Sequence, residues 1–221
     1  MTFRKPVLKE STVSANANMP VLYSEIDPLD FVAHKSWKCL PSQGLSWLAR
    51  NNLVPLTVDE FRLAQRHYPI VFSSDPQPVP LALMGLAPGT NAFISDEGYV
   101  SGRLYIPAYV RRYPFILARE YPDASELALC VDRASGLVGD FEEGAVLFDS
   151  GKLSDAGQRI LAFCEEFERA AERTRLFVAD LIQHNLLIDG KATIDQGAQG
   201  QQVFDGFQII NADAVSALTS N

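Results

Sequence analysis

The sequence predicts an α+β fold: a mainly antiparallel sheet packed against one long helix and several short helices. Two observations carry this prediction. Short runs rich in β-branched and aromatic residues, separated by Pro and Gly clusters, occur before residue 150 and again after residue 186. Between them, apolar residues recur at helical spacing from Ile160 to Leu181. Strands that lie before and after a long helix, rather than alternating with helices, are typical of the α+β class.

Length and composition indicate a chain with a hydrophobic core of its own. Its 221 residues are 47% hydrophobic and 21% charged, close to the averages for globular proteins. A chain of this length buries roughly 70% of the surface that its unfolded form exposes. The sequence has no internal repeat and no linker between two halves. We therefore expect a flexible leader over residues 1–20, followed by a single α+β domain over residues 21–221.

The elements up to residue 100 follow from a capping signal and from turn residues. Thr57 and Glu60 have the spacing of a capping box and Pro69 ends the segment, which predicts a helix at about 57–67. Three β-prone runs follow, at 70–74, 79–86 and 91–98. The APGT connection between the last two of these runs predicts a hairpin.

A short helix bounded by two prolines is predicted next, in the segment YIPAYVRRYPF. Pro107 fits the first turn of a helix, and Pro114 disfavours helical geometry at Tyr113, so this helix has at most two turns. Two strands are predicted after it, at 115–120 and 126–132. The Gly-rich acidic segment 135–144 predicts a surface loop.

The strongest periodic signal predicts a long helix at about 155–186. Ser154 or Asp155 can cap its start. Its apolar residues alternate spacings of four and three and form one stripe: Ile160, Cys164, Phe167, Ala171, Thr174, Val178 and Leu181. The stripe either packs against the core of its own chain, which is the commoner arrangement, or offers a contact surface for a homo-oligomer.

The end of the chain predicts a turn, two strands and the start of a helix. Asp189 and Gly190 predict the turn, and KATID and QQVFDGFQII predict the pair of strands. The last residues, NADAVSALTSN, predict the beginning of a final helix.

Composition argues against nucleic acid and membrane partners. The formal net charge is −8, whereas nucleic acid and anionic membranes attract clustered Lys and Arg. No stretch reaches the ~20 apolar residues of a membrane span, and the N-terminal residues lack the apolar core of a signal peptide. Cys39, Cys130 and Cys164 have no C-x-x-C spacing and fit reduced thiols. We therefore expect a cytoplasmic protein, or one that reaches the cell surface without a signal peptide.

No group of residues in the sequence identifies a reaction. The histidines His34, His67 and His184 have no second ligand pair nearby, so we predict no metal site and no cofactor. No nucleophile motif, phosphate loop or calcium loop occurs. We lean against an enzyme, although catalytic groups could be gathered in space from positions such as His34, His67, Asp132 or Glu120.

The short helix carries the candidate binding residues. In a helical conformation Tyr105, Tyr109 and Tyr113 fall at i,i+4 spacing and line one side, while Arg111 and Arg112 point about 100° apart. Arginine suits bidentate pairing with an anion, and tyrosine offers a wide contact area. The set therefore predicts a recognition surface for a protein or peptide partner. Alternatively, one arginine pairs with an acidic residue of the fold and the tyrosines pack in the core; one arginine is expected to be structural.

Several segments of the sequence resemble the SapC family of bacterial proteins. They are VPLTVDEFRLAQRHYPIVF (54–72), LMGLAPGTNAFISDEGYV (83–100), YIPAYVRRYPFIL (105–117), LCVD (129–132) and ERTRLFVADL (172–181). The resemblance covers about 30 to 210 in the same order. It implies an accessory role beside surface layers or TonB-dependent outer-membrane receptors, and it carries over no catalytic residues. Members often continue into a further helical segment after the final strand, and this chain ends at Asn221 soon after entering it.

Three functions follow from these observations as alternatives. The first, which we favour, is a SapC-like non-catalytic accessory or binding protein with the five residues of the short helix near its contact surface. The second is an enzyme that acts on a peptide or small molecule. The third is a structural component of a surface assembly that associates with itself through the long helix.

Overall fold

The computed structural model describes residues 19–119, 126–195 and 201–218. Over these residues the fold is α+β, as predicted, with helices and antiparallel strands. The leader predicted at residues 1–20 lies almost wholly outside the described residues. The strands are β1 Ile26–Pro28, β2 Lys38–Cys39, β3 Leu53–Pro55, β4 Ile70–Ser73, β5 Pro80–Leu83, β6 Phe115–Ala118, β7 Ala128–Asp132, β8 Val138–Gly139, β9 Ala145–Val146, β10 Phe148–Asp149, β11 Lys152–Leu153, β12 Leu187–Asp195 and β13 Gln201–Ile210.

The α-helices are α1 Phe31–His34, α2 Phe61–Ala64, α3 Ala108–Arg112, α4 Asp155–Gln183 and α5 Ala212–Leu218. The capping box predicted from Thr57 and Glu60 is present, and it opens a 3-10 turn, Val58–Glu60, that continues into α2. The short helix between the prolines is α3, which confirms that prediction. The chain after the last strand enters α5, also as predicted.

The strands form several antiparallel sheets rather than one. The largest has five strands in the order β12-β13-β4-β5-β3, so the last two strands of the chain join the first hairpin. A three-stranded sheet has the order β1-β7-β6 and ends close to α3. The small sheet β8-β2-β9 and the ribbon β10-β11 complete the described pairings. The segment predicted as a loop at 135–144 therefore contains a short strand, β8, paired with β2.

The long helix α4 joins the separate parts of the hydrophobic core. The Oγ of Ser154 accepts a hydrogen bond from the N–H of Gly157 at 3.1 Å, which caps the helix as predicted. The helix has 29 residues and extends about 43 Å. Its stripe faces inward: Phe167 packs on one buried cluster, Cys164 belongs to a second, and Val178 belongs to a third. The core-facing alternative for the stripe is thus confirmed.

The strand predicted at 91–98 and the hairpin predicted at APGT are both wrong. Residues 91–98 form no strand, only a bridge from Ile94 to Val100, because the side chain of Asn91 takes the place of a strand partner. Its Oδ1 accepts hydrogen bonds from the N–H groups of Phe93 and Ile94. The segment APGT does not connect the two strands of a hairpin. The hairpin lies earlier in the chain and is formed by β4 and β5.

The turn predicted at Asp189 and Gly190 is also absent. Strand β12 continues through both residues, and the pairing with β13 shifts by one residue between Gly190 and Ala192, which is a β-bulge. A side chain at position 190 would overlap the ring of Phe207, so glycine is required here for close packing rather than for a turn.

Candidate functional site

The segment around α3 is tied to its surroundings by tyrosine hydroxyls. The hydroxyl of Tyr105 donates to Oε1 of Glu60 at 2.9 Å, and the hydroxyl of Tyr68 donates to the carbonyl of Tyr105. The carboxylate of Glu60 also accepts a hydrogen bond from the N–H of Ala108 at 2.6 Å. It accepts two more from Thr57, one from the N–H and one from the hydroxyl. One buried carboxylate therefore caps the turn before α2 and holds the start of α3.

Tyr109 and Tyr113 point into the protein and also find partners there. The hydroxyl of Tyr109 donates to the carbonyl of Val21 at 2.6 Å. The hydroxyl of Tyr113 donates to Asp132 at 3.3 Å, and its ring lies 4.4 Å from that of Trp47. Burial raises the pKa of both phenols; the Arg112 guanidinium opposes the increase for Tyr109, and the carboxylate of Asp132 adds to it for Tyr113.

Asp132 is fully buried and holds the N-terminal segment onto strand β7. Its carboxylate accepts hydrogen bonds from the backbone N–H groups of Ser24 at 2.9 Å, Glu25 at 3.0 Å and Ala134 at 3.0 Å. With the Tyr113 hydroxyl, four donors surround this carboxylate. A carboxylate with this many internal donors acts as an anchor for the fold, which is the structural role of the LCVD segment.

Arg112 lies inside the protein with only 6% of its surface exposed. Its Nη1 donates to Oε1 of Glu168 on α4 at 3.1 Å. The guanidinium carbon lies 3.9 Å from the centre of the Phe167 ring and 4.6 Å from that of Tyr109. The Nε of Arg112 is buried and has no hydrogen-bond acceptor within the described residues. This arginine joins α3 to α4, which is the structural alternative that the sequence left open.

Arg111, the preceding residue, is exposed. Its Nε donates to the carbonyl of Ile106 at 3.0 Å and its Nη2 donates to the Tyr105 hydroxyl at 3.3 Å. Its guanidinium carbon lies 5.3 Å from the centre of the Phe163 ring. In the described part of the chain no carboxylate forms an ion pair with it. Its guanidinium is therefore held in place by uncharged partners.

The five predicted binding residues surround α3 but line three different cavities. Tyr109 lines an apolar cavity of about 420 Å³ that also contacts Val21, Phe167 and Val178. Tyr105 and Arg111 line a smaller one, of about 240 Å³. Arg111, Arg112 and Tyr113 line a third cavity of about 430 Å³, which we call the arginine cavity. Arg111 therefore lines both the smaller cavity and the arginine cavity.

The arginine cavity contains a third arginine that sequence reasoning missed. Arg159 lies on the first turns of α4, four residues before Phe163, and both line the cavity. The helical spacing predicts that these two side chains share a face of α4. Their approach to Arg111 depends on how α4 packs against α3, which no local pattern in the sequence specifies.

The thiols of the arginine cavity are poor nucleophiles. Cys39 and Cys164 both line it. Burial raises the pKa of Cys39, and burial raises the pKa of Cys164 to about 11 in spite of the opposing charge of Arg112. Since the thiolate is the reactive form, both side chains stay protonated and unreactive near neutral pH. In the part of the chain that the structure describes, no histidine lines this cavity to activate them.

The residues considered for catalysis are not gathered in these cavities. None of the three cavities is lined by His34, His67 or Asp132, and Glu120 lies outside the described residues. The Nδ1 of His34 accepts from the N–H of Asp30 at 3.0 Å. Within the described ranges, no three His, Cys, Asp or Glu side chains are grouped so that they could hold a metal ion.

Fold and site together define an α+β protein with a cation-lined cavity beside a short, internally anchored helix. A sequence model of the SapC family matches residues 29–221, most of the chain, so this chain belongs to the SapC family. Comparison with curated proteins and comparison with solved structures both give no match. Across the residues with described structure, no helix has the length and apolar character needed to cross a membrane.

Proposed function

We propose that this SapC-family protein is a non-catalytic accessory protein that binds a protein or peptide partner at the exposed side of α3 and the adjoining arginine cavity. The observation that carries the proposal is the exposed guanidinium of Arg111, which has no ion-pair partner among the described residues and lies above Phe163 at a cavity with two more arginines. Exposed arginine and aromatic side chains around a cavity are characteristic of recognition surfaces.

The charge distribution supports binding of an acidic partner group. The whole chain has a formal net charge of −8, yet among the described residues the charged side chains that line the arginine cavity are three arginines and no Asp or Glu. A local positive surface on an acidic protein favours a specific anionic group over general attraction to polyanions.

The family supports a cellular setting for this role. The family resemblance implies an association with surface layers or TonB-dependent receptors, and we propose an accessory function for one of these systems, performed from the cytoplasm. The high pKa of the cavity thiols supports binding over thiol chemistry.

A pull-down experiment with matched arginine variants tests the proposal. Wild-type protein and the variants Arg111→Ala, Arg159→Ala and Arg62→Ala are used as bait, and circular dichroism checks that each is folded. Arg62 is exposed and lines none of the three cavities, so it controls for general loss of charge. We expect partner recovery to fall for Arg111→Ala and Arg159→Ala and to persist for Arg62→Ala. Equal recovery by all four folded proteins would reject this surface.

A further inference from the structure

The arginine cavity has separate polar and apolar parts. Exposed Arg111 and Arg159 stand where the cavity meets solvent, whereas Pro114, Phe115 and Cys164 are buried. Neither exposed arginine forms an ion pair within the described residues. Two guanidinium groups at one opening can each offer a pair of N–H donors to the same anionic head group.

Arg112, which is buried, also lines this cavity. Its charge is balanced by Glu168, which does not itself line the cavity. Because Glu168 already neutralises Arg112, the cavity charges without an ion-pair partner in the described part of the chain are those of Arg111 and Arg159.

The remaining walls of the cavity are mostly apolar. Leu40, Leu137, Ile160 and Phe163 provide aliphatic and aromatic surface, and Ser42 adds a hydroxyl. A volume of about 430 Å³ falls within the range usual for small-molecule sites. A fully hydrated inorganic anion would leave this apolar surface without a partner, whereas an anion attached to an apolar group would cover it.

We infer that the arginine cavity binds a carboxylate attached to an apolar group. The carboxylate pairs with Arg111 and Arg159, and the apolar group lies against Ile160 and Phe163. This inference rests on the proposed function and specifies its chemistry. The carboxylate can belong to a small organic acid or to the C-terminus of a peptide that ends in an apolar residue.

Calorimetric titration of the full chain with two pairs of probes tests the inference and separates these two sources. The first pair is octanoate and its uncharged analogue octanamide; the second is an acetylated tripeptide ending in phenylalanine, as the free acid and as the carboxamide. We expect at least one acid to bind about tenfold or more tightly than its amide, because the amide cannot form an ion pair with the arginines. Binding of octanoate alone indicates a small acid, and binding of the peptide acid indicates a C-terminus.

Variants establish that the binding is at this cavity. The double variant Arg111→Gln/Arg159→Gln should weaken the preferred acid about tenfold or more, and Arg62→Gln should leave its affinity unchanged. Affinity should also fall as salt rises from about 50 mM to about 500 mM, because exposed ion pairs are screened. Equal affinity for acid and amide, or equal affinity of wild type and double variant, would overturn the inference.

Two further outcomes would also contradict the inference that the cavity binds a carboxylate attached to an apolar group. If inorganic phosphate binds as tightly as the preferred acid, the apolar walls make no contribution and the ligand class is wrong. If all organic acids fail to bind while partner recovery still depends on Arg111 and Arg159, the carboxylate inference fails and the proposed function stands.

Discussion

Arg111 and Arg112 are consecutive in the sequence and have opposite environments in the structure. Side chains on adjacent helical positions point about 100° apart, so one guanidinium of α3 is buried and the other is exposed. Arg112 contacts Glu168 and the Phe167 ring, whereas Arg111 contacts backbone and phenol oxygens. Neighbouring residues of the same type thus separate a structural role from the proposed binding role, and substitution can measure the two independently.

Replacing Arg112 by methionine should destabilise the protein by about 2–3 kcal/mol, because it leaves the Glu168 carboxylate without its cation and removes the contact with Phe167. The side chain of Glu168 is 37% exposed, so water offsets part of the loss. The matched variant Arg111→Met should change the free energy of unfolding by less than about 0.5 kcal/mol. Urea unfolding at neutral pH measures both.

A double variant tests the cause of this loss. If the unpaired carboxylate is responsible, Arg112→Met/Glu168→Met should be less destabilised than the sum of the two single variants. Additive losses, or equal losses from Arg111→Met and Arg112→Met, would contradict the assignment of Arg112 as the buried partner of Glu168.

The thiol of Cys164 should react slowly with iodoacetamide in the folded protein. Its pKa is raised to about 11 by burial. Relative to an unfolded thiol with a pKa of about 8.5, we expect the alkylation rate at about pH 8 to be lower by about 100-fold or more. Peptide mass spectrometry after timed alkylation measures Cys164 separately from Cys39 and Cys130. Equal rates in native and urea-unfolded protein at this pH would show that Cys164 is not held in the buried environment.

At the scale of elements, the carboxylate of Glu60 links the capped turn before α2 to α3. Thr174 on α4 also contacts this turn. Its Oγ1 accepts a hydrogen bond from the N–H of Val58 at 2.8 Å and donates one to the carbonyl of Ala170 at 2.7 Å. The turn Val58–Glu60 is therefore held by its own capping box and by the long helix. Polar side chains, in addition to apolar packing, determine how these short elements are positioned.

Replacing Glu60 by alanine should destabilise the protein by about 2–4 kcal/mol, because the donors of Thr57, Tyr105 and Ala108 lose their acceptor in a buried position. Glu60→Gln should cost less, since its amide oxygen can still accept hydrogen bonds while its NH₂ group cannot. Thermal and urea unfolding measure whether Glu60→Ala is less stable than Glu60→Gln. Asp59→Asn, at an exposed neighbouring carboxylate paired with Arg173, is the control and should change stability by less than about 1 kcal/mol.

At the scale of the whole molecule, the features that the sequence predicted are those with local causes. The capping box of Thr57 and Glu60, the proline-bounded α3 and the stripe of α4 each depend on residues a few positions apart. The division of the strands among several sheets depends on contacts between distant segments, such as β13 with β4. The failed strand at 91–98 had adequate β propensity, but Asn91 offered its backbone a local alternative that propensity does not include.

The candidate site shows the same division. Its five predicted residues lie together because they are neighbours in the sequence. Arg159, Cys39 and Glu168 are 46 to 66 residues away from the nearest of those five positions in the chain and reach the site only through packing. Sequence reasoning could therefore identify the short helix as unusual and expect one arginine to be structural, but it could not determine which arginine is buried.

The buried tyrosines make the stability of the whole protein sensitive to alkaline pH. Burial raises the pKa of five phenols, namely Tyr23, Tyr68, Tyr105, Tyr109 and Tyr113. Below the unfolded pKa of about 10 these groups are protonated in both states and leave the free energy of unfolding unchanged. Above it the unfolded chain releases protons that the folded chain retains, so stability falls as pH rises.

Stability should therefore be nearly constant from about pH 7 to about pH 8, decline slightly above about pH 8.5 as the unfolded Cys164 ionises, and fall steeply above about pH 10. Each deeply buried phenol contributes a slope of up to about 1.4 kcal/mol per pH unit in that last range. Urea unfolding at a series of pH values, with circular dichroism and phenolate absorbance recorded together, measures this profile. We expect most phenolate to form in the same transition that removes the secondary structure. Ionisation of these tyrosines in a chain that keeps its circular dichroism signal would contradict their burial, because it would show that the phenols reach solvent without unfolding.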